Sequence, residues 1–192
     1  ISLISHAGAD VFFAIPFDEQ MRDQPPECYV GELVRRLHPK AVVCGYNHSF
    51  GAGGSGSPAL LQALGAALGF EVSVVPPITL HGQEVSSTAI RQKLAAGDVS
   101  GARALLGRPY SRRVELTHGE NEWSLRLLDE EKQGLPAGKY RCVFSAGEQS
   151  LPVTVLLNGE TDGRLLLSGE EPSLQKSLNE GRGRLFFWQA AK

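Results

Sequence analysis

Val11-Phe12-Phe13-Ala14-Ile15 is a continuous apolar run bounded by Asp10 and Pro16, a pattern that predicts a strand buried on both faces. From Glu27 to Leu37 the period changes: Tyr29, Val30, Leu33, Val34 and Leu37 fall at helical spacing. Ala41 to Cys44 reads as a second buried apolar strand, so the three segments form one βαβ unit. Ser57 and Pro58 then open a helix as N-cap and first-turn residues, Leu60, Leu61, Leu64, Ala67 and Leu68 give it an apolar stripe, and Gly69 stops it. Val72 to Val75 is the next strand, closed by Pro76-Pro77. Strand and helix alternate, which predicts an α/β fold with a parallel sheet.

A helix opens at Ser86 and ends near Ala96 and Gly97, and Asp98 caps a shorter one that stops at Gly107. From Ser111 the texture changes. Arg113 to Thr117, Trp123 to Leu128, Lys139 to Phe144, Val153 to Leu157, Arg164 to Leu167 and Arg184 to Trp188 are short β-type runs separated by Gly, Asn, Asp and Pro. They predict a small antiparallel barrel or sandwich.

Composition narrows the partners. The chain has 192 residues, 42% hydrophobic and 21% charged, with a net charge of -2. No bulk field attracts nucleic acid or an anionic membrane, so a polyanionic ligand has to be held locally. Cys28, Cys44 and Cys142 are far apart and lack metal-ligand spacing, which fits a reducing compartment, with the cytoplasm as the default expectation and no protein-bound metal. No apolar run reaches the length of a membrane span, and the residues after Ile1 have no basic-then-apolar targeting pattern.

The chemistry concentrates in two places. In Val85-Ser86-Ser87-Thr88-Ala89-Ile90-Arg91, Ser86 is a good N-cap, and Ser87 and Arg91 share a helix face one turn apart. Hydroxyls, free backbone N–H groups and a guanidinium fork then converge, which suits a polyphosphate. A capped surface helix with an exposed arginine would read the same way. The second place follows the strand at Cys44, in Gly45-Tyr46-Asn47-His48-Ser49-Phe50-Gly51 and Ala52-Gly53-Gly54-Ser55-Gly56. Ligands in parallel α/β sheets sit beyond the carboxyl ends of strands. Asn47 can donate and accept toward a nucleotide or flavin edge, or simply serve the turn. The glycines permit close backbone approach, but no Gly-Lys-Ser/Thr follows, so this is no Walker A loop. His48 reads as a loop residue, and His6, His38, His81 and His118 have no ligand spacing.

Together, G-x-N-x-x-F-G after a strand and S-S-T-x-I-R at a helix start resemble the FMN adenylyltransferase module of the bacterial FAD synthetases, from about Asp10 to the closing Leu105-Leu106-Gly107-Arg108-Pro109-Tyr110. The resemblance implies a partial Rossmann-like nucleotidyltransferase sheet over 1–110. Residues 111–192 then stand as a diverged β-rich domain in the position of riboflavin kinase. It implies transfer of AMP from ATP, with Mg²⁺, to FMN, giving FAD and pyrophosphate. By the same resemblance Ser87, Thr88 and Arg91 meet the ATP phosphates, Arg91 as the electrophilic clamp. Asn47 belongs to the ligand cleft shared by ATP and flavin, and Tyr29 and Phe50 approach the flavin ring, although an aromatic at position 29 is equally at home in the core.

The chain departs from the family pattern in three ways. The opening G-x-x-D-G-x-H-x-G-H motif is missing, and about two strand-helix units with it. A fragment whose parallel sheet exposes apolar edges is therefore expected. The kinase's G-F-P-T-A-N stretch is replaced by Trp123-Ser124-Leu125-Arg126-Leu127-Leu128, so kinase activity is not expected, although Leu135-Pro136-Ala137-Gly138-Lys139-Tyr140 resembles the kinase's approach to a barrel strand. Glu84 stands where some relatives carry a basic residue. A non-catalytic flavin- or nucleotide-binding module, and a nucleotidyltransferase of the same superfold acting on another phosphate ester, stay open beside the FAD-forming reading.

Overall fold

The computed structural model describes residues 2–119, 122–159, 161–166 and 181–191. Backbone contacts divide the chain into two compact units, Ile1–Pro77 and Ile78–Lys192.

In the first unit, α1 (Ser2–His6) and α2 (Glu19–Arg22) precede α3 (Pro26–Leu37), β1 (Ala41–Gly45), a 3-10 turn at Ala52–Gly54, α4 (Pro58–Leu68) and β2 (Glu71–Val75). The two strands pair in parallel, with Val42 opposite Val72 and Cys44 opposite Val74. Alternation along each strand turns these four side chains toward one core, where Val30 of α3, Leu61 of α4, Phe50 and Phe70 join them. The start of α4 is built as its sequence dictates. Ser57 Oγ accepts from the Leu60 N–H at 3.2 Å, Pro58 takes the first turn, and Gly69 ends the helix in the left-handed region.

Two expectations for this unit are corrected. Val11 to Ile15 forms no strand: residues 11–17 are irregular, with Val11 66% and Phe13 60% exposed. An apolar run becomes a buried strand only where a neighbouring strand takes up its backbone groups, and β1 and β2 pair only with each other. Instead, Phe13 and Ile15 line a hollow of about 840 Å³ together with Tyr29, Leu33 and Leu37. Strand β1 is not buried on both faces either. Val43 points away from the shared core and is 67% exposed, because a two-stranded sheet covers β1 on one side only.

The second unit opens with the hairpin β3 (Thr79–Leu80) and β4 (Gln83–Glu84). His81 and Gly82 both take positive φ at its tip, the requirement of a type I′ turn. Next come α5 (Ser87–Ala95), α6 (Val99–Leu106), and the strands β5 (Tyr110–His118), β6 (Trp123–Leu127), β7 (Gly138–Ala146), β8 (Gln149–Leu157), β9 (Asp162–Leu166) and β10 (Gly181–Ala190). These six strands close into an antiparallel barrel in the order β10-β5-β6-β9-β8-β7. All six runs read from the sequence are strands of it, except that Leu167 lies outside the described residues.

Closure follows from the period-two pattern. Val114, Leu116, Leu125, Leu127, Cys142, Phe144, Val153, Val155, Leu185 and Phe187 point inward and are buried, while Glu115, Arg126 and Arg182 form an ion-pair ladder on the outside. Leu94 of α5 and Val99 and Ala102 of α6 belong to this same buried cluster. The two helices therefore pack as part of the barrel's core.

Candidate functional site

The first candidate site lies at the carboxyl end of β1. Beyond Gly45 the chain turns through Tyr46 and Asn47, with the His48 N–H donating to the Gly45 carbonyl at 3.0 Å. It then pairs Phe50 with Gly56 in both directions: Phe50 N–H to Gly56 O at 3.3 Å, and Gly56 N–H to Phe50 O at 2.8 Å. The loop is thus closed on itself. Its tie to the approach to α3 is the Ala52 N–H, which donates to Gln24 O at 2.7 Å.

The glycines serve this closure. Gly51 has φ +70, and a Cβ there would lie 2.6 Å from Pro26 Cα; a Cβ on Gly56 would strike the Phe50 ring at 2.5 Å. Close approach at these two positions is therefore to the protein itself, the backbone of Pro26 and the ring of Phe50. Gly53 has nothing within 4 Å, so its side of the loop is open.

Around this loop a cavity of about 370 Å³ is walled by Tyr29 and Leu33 of α3, Val43, Cys44 and Gly45 of β1, and His48 and Phe50. Tyr29 and Phe50 come together, with ring centroids 6.0 Å apart. Phe50 is buried in the core and Tyr29 half-buried against it, so both aromatics hold the core and present a wall at once. Asn47 is exposed on the turn, free to face a ligand. His48, read from the sequence as a loop residue, stacks on Phe50 at 5.5 Å and 23° and so extends the wall. The alternation of His48 and Phe50 after a strand end is the available signal, masked by the loop character of the segment.

The second candidate site is the start of α5, in the other unit. Ser86 Oγ accepts from the Ala89 N–H at 3.2 Å, as the N-cap reading requires. Ile90 and Leu94 turn to the barrel core, which leaves Ser87, Thr88 and Arg91 together on the exposed face of the first turns. Among the described residues Arg91 makes no ion pair. Free N–H groups of a capped helix, two hydroxyls and an uncommitted guanidinium share this surface. The chemistry of these groups suits an anion. Among the described residues no group of three His, Cys, Asp or Glu side chains is placed to hold a metal ion. Cys142 lies inside the barrel, where burial pushes its thiol pKa up and keeps it protonated.

A parallel α/β unit carrying a strand-end loop, followed by a closed antiparallel barrel with a helix pair, defines the class. The same fold occurs in a crystal structure described as a macrolide-efflux protein from Streptococcus pneumoniae, with a TM-score of 0.83 over all of this chain and 64% of that one, at 18% identity. Residues 1–89 match the family model described as FAD synthetase. Over those residues, a little under half of the chain, the likeness is to the FAD synthetase family.

Curated relatives agree. The bifunctional riboflavin kinase/FMN adenylyltransferases of Listeria monocytogenes, Escherichia coli and Haemophilus influenzae are 33%, 30% and 35% identical over 113, 118 and 120 residues. These matches take in 59%, 61% and 62% of this chain but only 36%, 38% and 39% of the relatives. The chain therefore spans little more than a third of the length of the curated relatives it matches.

Proposed function

We propose that this chain carries the flavin-facing wall and the polyphosphate clamp of an FMN adenylyltransferase. In the reaction an oxygen of the FMN phosphate attacks the α-phosphorus of ATP. The bond to the bridging oxygen breaks, and pyrophosphate leaves with the electron pair, giving FAD. No protein nucleophile is required, so the protein's contribution is positioning and charge neutralisation. Ser87 and Thr88 donate to phosphate oxygens alongside the free N–H groups of α5. Arg91 meets the charge that grows on the leaving pyrophosphate. Mg²⁺ arrives as the counterion of ATP and is part of the substrate. Tyr29, Phe50 and His48 supply flat walls for the isoalloxazine, and Asn47 hydrogen-bonds a ring edge.

The observation that carries the reading is the exposed, uncommitted face of α5 bearing Ser87, Thr88 and Arg91, in a chain whose preceding residues match the FAD synthetase family. The functional division in this reading is an adenylyltransferase part over 1–110 and a β-rich part over 111–192 without kinase activity. It differs from the packing division at Pro77, because α5 carries nucleotide-binding residues while resting on the barrel core.

The test is FAD formation from MgATP and FMN by the complete gene product, with and without Arg91→Ala. Loss of an electrophilic clamp lowers turnover by roughly 10²-fold. Unchanged turnover would remove Arg91 from the reaction. Binding of FMN and ATP with no FAD formed would select the non-catalytic binder instead. Preference for pantetheine phosphate or nicotinamide mononucleotide over FMN would select another nucleotidyltransferase.

A further inference from the structure

We infer that the barrel acts as the positioning platform of the phosphate-binding helix, and that Trp188 and Arg103 are its positioning residues. The inference rests on the reading of α5 as the ATP phosphate site. It begins with an irregularity in β10. Pairing with β7 is regular up to Phe187 opposite Cys142, shifts register, and resumes at Gln189 opposite Arg141, so Trp188 stands at the break. A bulge re-aims the side chain it carries and leaves ladder groups unused.

Both consequences are used. The freed carbonyl of Trp188 accepts from Ser100 Oγ of α6 at 3.3 Å, and its indole lies under the guanidinium of Arg103 of α6, 4.1 Å from the ring centroid. Arg103 and Trp188 are both exposed, so the barrel core does not depend on either of them.

From α6 the constraint passes to α5 through their tight turn. Asp98 caps α6 by accepting from the Gly101 N–H at 2.8 Å, and with its other oxygen accepts from Lys93 Nζ of α5 at 3.0 Å. Gly97, at φ +76, lies so close to the barrel that a Cβ would be 3.2 Å from Pro136 Cγ and 3.3 Å from the Tyr140 hydroxyl. Leu94 is anchored in the core on one side of the helix while Ser87 and Arg91 face out on the other. The direction in which Arg91 points is therefore set by the α6 contact with β10 as well as by Leu94. A barrel that lacks the kinase motif thus serves to hold a helix.

The experiment is titration of the full chain with MgATP, and with inorganic tripolyphosphate, for the parent, Arg91→Ala, Trp188→Leu, Trp188→Phe, Arg103→Leu and Arg103→Lys. Trp188→Leu and Arg103→Leu are expected to weaken triphosphate binding roughly two- to fivefold, the worth of an exposed cation–π contact. Trp188→Phe and Arg103→Lys, which keep a ring and a cation, are expected to restore most of it. A role in general stability would not be rescued in that paired way at unchanged thermal midpoint. If Trp188→Leu unfolds the barrel, the Arg103 pair alone decides. Parent-like binding by both leucine variants, with binding lost in Arg91→Ala, overturns the positioning role and leaves the α5 reading standing. Parent-like binding by Arg91→Ala overturns the α5 reading itself and the inference with it.

Discussion

Arg112 and Asp129 meet inside the second unit, Nε to Oδ1 at 2.8 Å, with side-chain exposures of 2% and 0%. Two ions out of water are tolerated because every group is matched. The Arg112 guanidinium also donates to the Asp129 carbonyl at 2.8 Å, and the Asp129 carboxylate accepts from the Arg113 N–H at 3.1 Å and pairs with Lys132 Nζ at 2.9 Å. The cluster fastens the segment after β6 to β5.

Removing one partner leaves the other charge buried and unpaired. Asp129→Asn is expected to destabilise the second unit by about 3–5 kcal/mol, read from its urea midpoint. Arg126→Gln, on the outer ladder with Glu115, is expected to leave it close to the parent's, because that pair is solvated.

The same pair predicts an acid limb. Burial works to raise the Asp129 pKa, but hydrogen bonds from Arg112, Lys132 and the Arg113 N–H outweigh it and hold the carboxyl at about 2. An unfolded aspartate titrates near about 3.9, so the folded value is the lower one. The stabilisation is then complete above the unfolded value and is lost as pH falls from about 4 toward 2. Thermal midpoints across this window should fall steeply for the parent and less steeply for Asp129→Asn. Equal slopes would remove Asp129 from the acid transition.

Gly51 and Gly53 differ in both backbone strain and collision, since Gly51 has φ 70 and ψ -177, a region kept for glycine, and Gly53 φ 61 and ψ 14 in the left-handed helical region. Both have positive φ, +70 and +61, but only Gly51 faces Pro26; Gly53 is open. Gly53→Ala is expected to cost about 1 kcal/mol from φ alone, and Gly51→Ala distinctly more, at the upper end of about 1–3 kcal/mol. Denaturant unfolding of the first unit measures both. Equal losses would mean that neither the backbone region of Gly51 nor its contact with Pro26 adds to the cost.

Tyr29 is the better probe of the aromatic cavity, since Phe50 is part of the core and its loss would cost about 3–5 kcal/mol in packing. Tyr29→Phe should keep flavin affinity, and Tyr29→Leu should lower it roughly two- to tenfold through the lost ring face. Quenching of FMN fluorescence on binding reads the difference.

The legible part of this fold is the part fixed by local pattern. Alternation and turn residues within each run are enough to find all six barrel strands, although only β5–β6, β7–β8 and β8–β9 of the six pairings join neighbours along the chain. Ser57, Ser86 and Asp98 are legible as caps because a cap is a contact three residues long. Val11 to Ile15 departs from its pattern because burial of a strand depends on what pairs with it, which composition does not encode. The sharing of one buried cluster by Leu94, Val99 and Phe187 is equally hidden, since it joins residues nearly a whole unit apart. His48 escapes notice as a wall because its stacking depends on the closed geometry of the loop.

Ser86 and Ser87 are adjacent and identical in type, yet the helix gives them opposite roles. Ser86 is consumed by the cap, its Oγ engaged with the Ala89 N–H, whereas Ser87 is exposed beside Thr88 one turn before Arg91. Ser86→Ala should therefore cost about 1 kcal/mol of stability through the lost cap. Any weakening of MgATP binding in that variant should be recovered in Ser86→Asp with little loss of stability, since Asp also caps. Ser87→Ala should leave unfolding within about 0.5 kcal/mol of the parent, as an exposed substitution does, while weakening MgATP binding several-fold through one lost phosphate hydrogen bond. The two variants thus separate helix integrity from ligand contact. If Ser87→Ala binds MgATP like the parent while Arg91→Ala does not, the phosphate meets the arginine alone and Ser87 leaves the site.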